Sequence, residues 1–364
     1  MGLPTFQRVM AKAPLRIGLA GGGSDVDPYC SQFGGEVLSV TIARFVVAEL
    51  SIGVGTKVTS NPVFIESSDR SVCWSGDVSS LDGLHLPTAL RLHMAVLRRI
   101  LSLAECSELL TRLNEGHAFI KLVTATDAPM GSGLGTSSTL VVAILQAWQR
   151  ALRFPWGEYE IARLAWEIER LDCGLQGGRQ DQYAASFGGL IDMQFRPDGS
   201  SIVNPLRVED ALLHELEASL VLYFTGVSRE SAQIIANQSE RVEKGLYEAI
   251  EATHEVKAQA RRMKQALLAS DLNAVAHSLA QGWQAKKRLS GAISNAHIDK
   301  TYDAAIAAGA LAGKVSGAGG GGFMFFICDP MRRPEVMAAL VEQGGQAFSC
   351  AFHLKGAEAW CLQR

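Results

Sequence analysis

The chain has 364 residues, 48% hydrophobic and 20% charged, an ordinary globular composition with length enough for two packed domains. Its formal net charge of −3 offers no electrostatic footprint for nucleic acid or an anionic membrane, so neither is expected as a partner. Seven cysteines, odd in number, scattered and without a Cys-x-x-Cys pair, argue against a disulfide framework or a zinc site and fit a reducing cytoplasm.

In chain order, Glu36 to Ile42 and Phe45 to Ile52 read as short valine- and isoleucine-rich strands separated by a tight Ala43-Arg44 connection. Leu86 to Leu103 predicts a helix with Leu90, Met94, Leu97 and Leu101 on one face. Phe119 to Ala125 predicts a buried strand. It leads into Pro129-Met130-Gly131-Ser132-Gly133-Leu134-Gly135-Thr136-Ser137-Ser138-Thr139, and the apolar run Leu140 to Trp148 behind it predicts a buried helix beginning near Gly135. Tyr159 to Leu171 predicts another helix, and Gly188 to Phe195 opens a strand. The turn Pro197 to Ser201, followed by Pro205, marks a boundary within 197–210, giving expected domains 1–200 and 201–364. Beyond it come a strand from Ser219 to Phe224, a charge-laced helical stretch from Arg229 to Leu268 with Gly245 as a break, and helices over Leu272 to Lys287 and Ile298 to Ala308. An apolar strand from Phe323 to Cys328, a helix over Val336 to Gln343 and a strand over Ala347 to His353 complete an α+β pattern. Arg8, Lys12 and Arg16 interrupt every early apolar stretch, and no uncharged apolar run approaches the ~20 residues that span a bilayer. A soluble, cytoplasmic protein with no membrane partner is expected; its oligomeric state stays open.

Three glycine clusters carry the chemistry. The central one places free backbone N–H groups and the positive end of a helix dipole at one point, where a polyphosphate binds. Thr136, Ser137 and Ser138 add hydroxyls that reach a phosphate or a Mg2+ ion; the alternative is a plain N-cap. The first cluster is Ala13-Pro14-Leu15-Arg16-Ile17-Gly18-Leu19-Ala20-Gly21-Gly22-Gly23-Ser24-Asp25, and the third is Lys314-Val315-Ser316-Gly317-Ala318-Gly319-Gly320-Gly321-Gly322-Phe323. On the helix Tyr159 to Leu171, Ile161, Leu164, Ala165 and Ile168 share a face; Glu169 falls about 80° from it and Glu167 on the far side. Glu169 is thus the better candidate for a cleft, against the plainer reading of a helix-end charge. Asp181, in Gly177-Gly178-Arg179-Gln180-Asp181-Gln182-Tyr183, sits where a loop enters a short helix and is either a cap or a functional carboxylate. Other motifs fail: Gly309 to Val315 is one residue short of a P-loop, Gly317 to Gly322 leads into a strand where a dinucleotide fingerprint needs a helix, and no Gly-x-Ser-x-Gly elbow occurs.

Together, in this order and spacing, the three clusters resemble the signature of the GHMP small-molecule kinases, a family named for galactokinase, homoserine, mevalonate and phosphomevalonate kinases. The resemblance covers essentially the whole chain. It implies a ribosomal-S5-like N-terminal domain, a ferredoxin-like C-terminal domain, an active site between them, and ATP and Mg2+ as cofactors. Pro129, Gly131, Ser132, Gly133, Leu134 and Gly135 with Thr136, Ser137 and Ser138 then form the ATP phosphate loop. The resemblance makes Ser137 and Glu169 the Mg2+ ligands, and Asp181 with Arg16 the catalytic pair, Arg16 otherwise reading as a strand surface charge. Where galactokinases carry Glu-His before Thr-Asp, this chain has Gly22-Gly23 before Ser24-Asp25. Asp25 keeps the place of a sugar-hydroxyl ligand, but two bulky contacts are gone, which argues for a larger or differently oriented sugar. Gly317, Ala318, Gly319 and Gly320 are expected to approach the substrate. This version of the motifs looks most like the bacterial D-glycero-D-manno-heptose 7-phosphate kinases, which phosphorylate the anomeric hydroxyl on the way to nucleotide-activated heptose for surface polysaccharide. Fucokinase domains share much of it, and a silent sugar- and ATP-binding regulator has precedent in the superfamily. A phosphorylated acceptor needs further cations, for which Arg179 and the run Lys286-Lys287-Arg288, represented by Lys287, are candidates; a solvated face is the plainer reading of that run.

Overall fold

The structure is a computed structural model that describes residues 5–55, 61–82, 87–227 and 231–362. Strand β1 (Phe6–Ala20) buries Val9, Ala11 and Ala13 on alternate positions, the period-2 pattern of a half-covered strand, and is buried at every residue from Ala13 to Ala20. A short helix α1 (Tyr29–Phe33) returns the chain into β2 (Gly35–Val54), which pairs antiparallel with β1 along most of its length. The two strands expected over residues 36–52 are therefore one. Ala43 and Arg44 make a bulge opposite the Pro14–Leu15 step, where Pro14 brings no N–H to the ladder and the register shifts.

Strands β3 (Val63–Ser67) and β4 (Val72–Gly76) precede helices α2 (Arg91–Leu101) and α3 (Ser107–Asn114) and strand β5 (Ala118–Thr126). The expected helix start at Leu86 lies outside the described residues. Helix α4 (Thr136–Leu152) is buried from Ser138 to Leu145 as the apolar run predicted, and α5 (Glu158–Glu167) widens into a π-type turn over Ile168–Asp172. Next come α6 (Gln180–Phe187), β6 (Leu190–Phe195), β7 (Ser201–Pro205) and α7 (Asp210–Ser219). The second half of the chain holds β8 (Leu220–Phe224), α8 (Ser231–Glu243), α9 (Tyr247–Leu268), α10 (Leu272–Leu289), α11 (Ala296–Ala307), β9 (Ala310–Val315), β10 (Phe323–Cys328), α12 (Arg333–Val341), β11 (Gln346–Ser349) and β12 (Glu358–Cys361). Gly245, at φ +65°, breaks α8 from α9 where the sequence placed the break; Arg229, the expected start of that stretch, lies outside the described residues.

The first sheet runs β12-β1-β2-β5-β3-β4, with β6 and β7 branching from the first half of β2. The second sheet, β11-β8-β10-β9, is antiparallel throughout. Both β7 and β12 belong to the first sheet yet follow residue 200, so the expected division at 200/201 cuts across that sheet. No helix among the described residues is long and apolar enough to cross a membrane.

Helix α9 straps the second half to the first through one basic face. Lys257 Nζ donates to the carbonyls of Phe33 and Gly34 (2.7 and 2.9 Å), Arg261 Nε to Glu36 (2.6 Å) and Lys264 Nζ to Asp192 (2.5 Å). Asp192 is only 1% exposed and has two side-chain amides besides that lysine, from Gln194 and Asn204. Lys264→Met strands that carboxylate, and a loss of about 2–4 kcal/mol in urea unfolding is expected. Adding Asp192→Asn to the variant is expected to recover part of it, because the uncompensated charge is then gone.

Candidate active site

The central glycine loop stands at the N-terminus of α4. Gly131, Gly133 and Gly135 all have positive φ (+73°, +88° and +81°), so the loop needs glycine at each. No side chain caps α4, which sets aside the N-cap reading of the hydroxyls. Instead the loop's carbonyls are held from behind. Gly133 O accepts from Arg16 Nη1 (2.6 Å) and from Ser316 Oγ (2.8 Å), Leu134 O from the Arg16 N–H (3.1 Å), and Ser132 O from the Phe323 N–H (2.8 Å). With carbonyls turned back and a helix start ahead, the loop presents N–H groups and a positive dipole end.

The third cluster supports that loop directly. A Cβ on Gly133 would lie 2.4 Å from Ser316 O, one on Gly317 2.8 Å from Gly133 Cα, and one on Gly322 2.3 Å from Ser132 O. Backbone meets backbone across the two halves of the chain. Gly319 and Gly320 pack on Ile293, whose carbonyl accepts the Gly320 N–H, and Gly317, Ala318 and Gly319 stay half-exposed.

Asp181 lies in the first turn of α6 with its carboxyl carbon 3.3 Å from where a Gly135 Cβ would stand. Its Oδ1 accepts from Arg16 Nε (2.8 Å) and Nη2 (2.5 Å); Oδ2 has no hydrogen bond among the described residues, and the side chain is 26% exposed. Arg16 is buried and joins Asp181 to the phosphate loop. The two residues expected to form a pair do so.

Asp25 is placed differently from the expectation. Its Oδ1 accepts from the Gly23 N–H (3.1 Å) and Gln180 Nε2 (3.1 Å), and its Oδ2 from the N–H groups of Arg179 (2.9 Å) and Gln180 (3.1 Å). The carboxylate thus caps α6 from outside and fixes the turn that carries Asp181. Ser24 is wholly buried, with its hydroxyl donating to Gly21 O and Glu36 O. Gly22 and Gly23 do not open space: a Cβ at either would meet the amide of Gln180 (3.4 Å) or Gln238 (3.0 Å), so glutamines fill what the small residues leave.

Glu169 lies in the π-type turn and is 1% exposed. Gln182 Nε2 bridges its Oε2 (2.5 Å) to Ser138 Oγ (3.0 Å), while Arg170 Nη1 stays 3.9 Å away. Burial pushes the Glu169 carboxyl up from its ordinary range, opposed by Arg170 and the hydrogen bonds from Ser138 and Gln182. Ser138 is therefore the hydroxyl beside Glu169; Ser137 Oγ faces Met130 Sδ at 3.7 Å. Glu167 is held by Arg163 and Arg99, away from the site.

Neither expected phosphate cation joins the cluster. The Arg179 guanidinium stacks on Trp166 and donates to Gly199 O (3.0 Å), and Lys287 Nζ lies 3.7 Å from Asp299. Its neighbour Lys286 turns inward instead, 5% exposed, and donates to Gly317 O (2.5 Å). The sequence held a signal for this: Val275, Leu279 and Trp283 form a buried stripe that Lys286 and Leu289 continue at helical spacing. Gln180, Gln182, Lys314 and Ser316 were likewise missed as site residues, because their roles are contacts between distant segments.

Comparison with known proteins accords with this geometry. The models of the GHMP kinases N terminal domain and the GHMP kinases C terminal match residues 98–189 and 263–346. A D-glycero-alpha-D-manno-heptose 7-phosphate kinase of Campylobacter jejuni is 38% identical over 356 residues, 98% of this chain and 99% of that protein. A bifunctional fucokinase/GDP-fucose pyrophosphorylase of Arabidopsis thaliana is 25% identical over 93% of this chain, which spans 31% of that longer protein. Among solved structures, a D-glycero-D-manno-heptose 1-phosphate kinase from Bacteroides thetaiotaomicron superposes with a TM-score of 0.77 at 38% identity, covering 98% of this chain and 100% of that one. The chain belongs to the GHMP kinase family and is an ATP-dependent sugar kinase.

Proposed function

We propose that this kinase transfers the γ-phosphoryl group of ATP to the anomeric hydroxyl of D-glycero-D-manno-heptose 7-phosphate, giving the 1,7-bisphosphate. The observation that carries the chemistry is Asp181, with one carboxylate oxygen held by Arg16 and the other without a hydrogen bond among the described residues, 3.5 Å from where a Gly135 Cβ would stand. The substrate is proposed from the full-length relative, a D-glycero-alpha-D-manno-heptose 7-phosphate kinase. Such bisphosphates precede nucleotide activation of the sugar for surface polysaccharide.

In this reading the N–H groups of 133–138 cradle the β- and γ-phosphates, and Asp181 Oδ2 accepts the hydrogen bond of the attacking hydroxyl, fixing its lone pair toward phosphorus. Arg16 fixes the carboxylate and adds positive charge near the group in flight. Mg2+ fits the chemistry of Glu169: a buried carboxylate whose hydrogen-bonding neighbours are uncharged and whose nearest cation is 3.9 Å away. No cluster of three or more His, Cys, Asp or Glu side chains able to hold a metal occurs among the described residues. That suits an ion taking one or two protein oxygens, here Glu169 with Ser138 or Ser137, and the rest from phosphates and water. When bound, the ion would neutralise the charge of the phosphates being separated.

ADP release measured with heptose 7-phosphate, free heptose, mannose and fucose tests the acceptor, and phosphorus NMR of the product tests the position of transfer. Highest kcat/KM with heptose 7-phosphate is expected; equal or better turnover of fucose would move the protein to the fucokinase branch. Asp181→Asn is expected to lower kcat by ~10²–10⁴-fold with ATP affinity little changed. Unaltered turnover in that variant would remove Asp181 from the mechanism. Glu169→Gln is expected to raise the Mg2+ concentration needed both for half-maximal rate and for ATP binding by calorimetry, whereas Glu167→Gln leaves both in place.

A further inference from the structure

Two lysines are buried at the junction of the halves without an acidic partner among the described residues. Lys286 on α10 and Lys314 on β9 are each 5% exposed. Lys314 Nζ donates to Gly18 O (2.9 Å), and Lys286 Nζ to Gly317 O (2.5 Å). Neither has a carboxylate within 4.0 Å among the described residues. An ammonium has three donors, and each of these uses one on a protein carbonyl. Taking such a charge out of water is costly, and a lone carbonyl does not offset it.

The charged groups facing Lys286 come from four other segments: Arg16 on β1, Asp25 in the loop after it, Asp181 on α6, and Lys314 on β9. Both oxygens of Asp25 are taken up by N–H groups of Gly23, Arg179 and Gln180 together with the Gln180 amide, and Oδ1 of Asp181 is taken up by Arg16. Asp25 is thus fully engaged, whereas Oδ2 of Asp181 has no hydrogen bond among the described residues. Lys286 keeps two ammonium donors with no protein acceptor among the described residues, and an incoming oxyanion would take them up.

We infer that Lys286 is an oxyanion-binding residue of the cleft, its ammonium contacting a phosphoryl oxygen beside Asp181 while Gly317 O fixes its position. Phosphate is the chemistry; it belongs either to the group being transferred or to the acceptor sugar. This assignment rests on the kinase reading, which the wild type tests by itself through ADP release.

Burial pushes the Lys286 ammonium down to about 8, Arg16 adding to the shift and Asp25 and Asp181 opposing it. Lys314 is also displaced well below the usual lysine value by burial, then by Lys286 and Arg16. Anion binding needs the charged form, so it weakens as pH rises through the pKa of Lys286.

The test uses the full chain and the variants Lys286→Met, which keeps an unbranched apolar stem, and Lys286→Arg. With cooperative thermal melting retained, Lys286→Met is expected to lose about 10- to 100-fold in kcat/KM, the worth of one charge-assisted hydrogen bond. A loss in kcat, equal for phosphorylated and free heptose, assigns the contact to the transferred group. A rise in KM for the sugar phosphate alone assigns it to the acceptor. Values of kcat and both KM within twofold of wild type in the folded variant would overturn the inference. Should Lys286→Met not fold, the pH profile decides. The wild type is expected to lose kcat/KM above pH about 8, and Lys286→Arg to carry activity to about pH 10 because arginine keeps its charge. Identical alkaline limbs in the two proteins would overturn it as well.

Discussion

A guanidinium cannot shed its charge, so every segment that packs against buried Arg16 must offer it an acceptor. That requirement organises the site. The phosphate loop offers Gly133 O, α6 offers Asp181, and the β9–β10 loop offers the Ser316 hydroxyl, from positions 117, 165 and 300 residues away in sequence. The strand that carries Arg16 pairs along most of its length with β2, the most heavily paired strand of the first sheet, and over Val9–Lys12 with β12. The reacting groups are therefore located by rigid sheet rather than by their own loops. A lysine could supply the charge but not the fork that spans a carbonyl and a carboxylate at once.

The glycines of the third cluster follow from the same geometry. Turning the phosphate loop's carbonyls away from a nucleotide means that something must receive them, since a buried unpaired carbonyl is costly. Besides Arg16, the receiving groups are the Ser316 hydroxyl on the β9–β10 connection and the Phe323 N–H at the start of β10. They come close enough only because Gly133, Gly317 and Gly322 lack side chains. This differs from the expectation that the cluster's glycines serve mainly to approach substrate. Part of their work is structural, holding the donor loop in shape from the opposite half of the chain.

What was legible in the sequence was local. Closely spaced glycines before an apolar run foretold the loop and α4, and helical phase separated Glu169 from Glu167. What was not legible depended on pairing between remote segments. Residues 43 and 44 looked like a turn because the register of β1, with Pro14 opposite, is invisible from β2 alone. Ser137 and Ser138 differ by one step of helix rotation, and the choice beside Glu169 is made by Gln182 on α6. Strand β9 was obscured by its alanines and by a Gly-Lys pair resembling a shortened P-loop, and short edge strands such as β12 lack an alternation long enough to read. Lys287 was preferred to Lys286 although the buried stripe through Trp283 pointed the other way. There the pattern was present and the run of charge hid it.

The strap along α9 adds a mechanical consequence. Lys257, Arg261 and Lys264 bind carbonyls and carboxylates next to α1, β2 and β6, so this edge of the junction resists separation. Lys314 ties β9 to Gly18 on the other side of Arg16, again across the junction. Relative motion of the two halves is thereby restricted at the first glycine cluster and at the segments that follow it. Movement that admits substrates is best borne by segments with fewer such ties, because each buried ionic contact broken leaves a charge uncompensated. The β9–β10 loop is poorly suited to that role as well, since displacing Gly317 or Gly322 would strip partners from the phosphate loop. Pre-formed donors at the site are the result, and preorganisation of that kind lets fixed charges act on a developing oxyanion without reorganising during transfer.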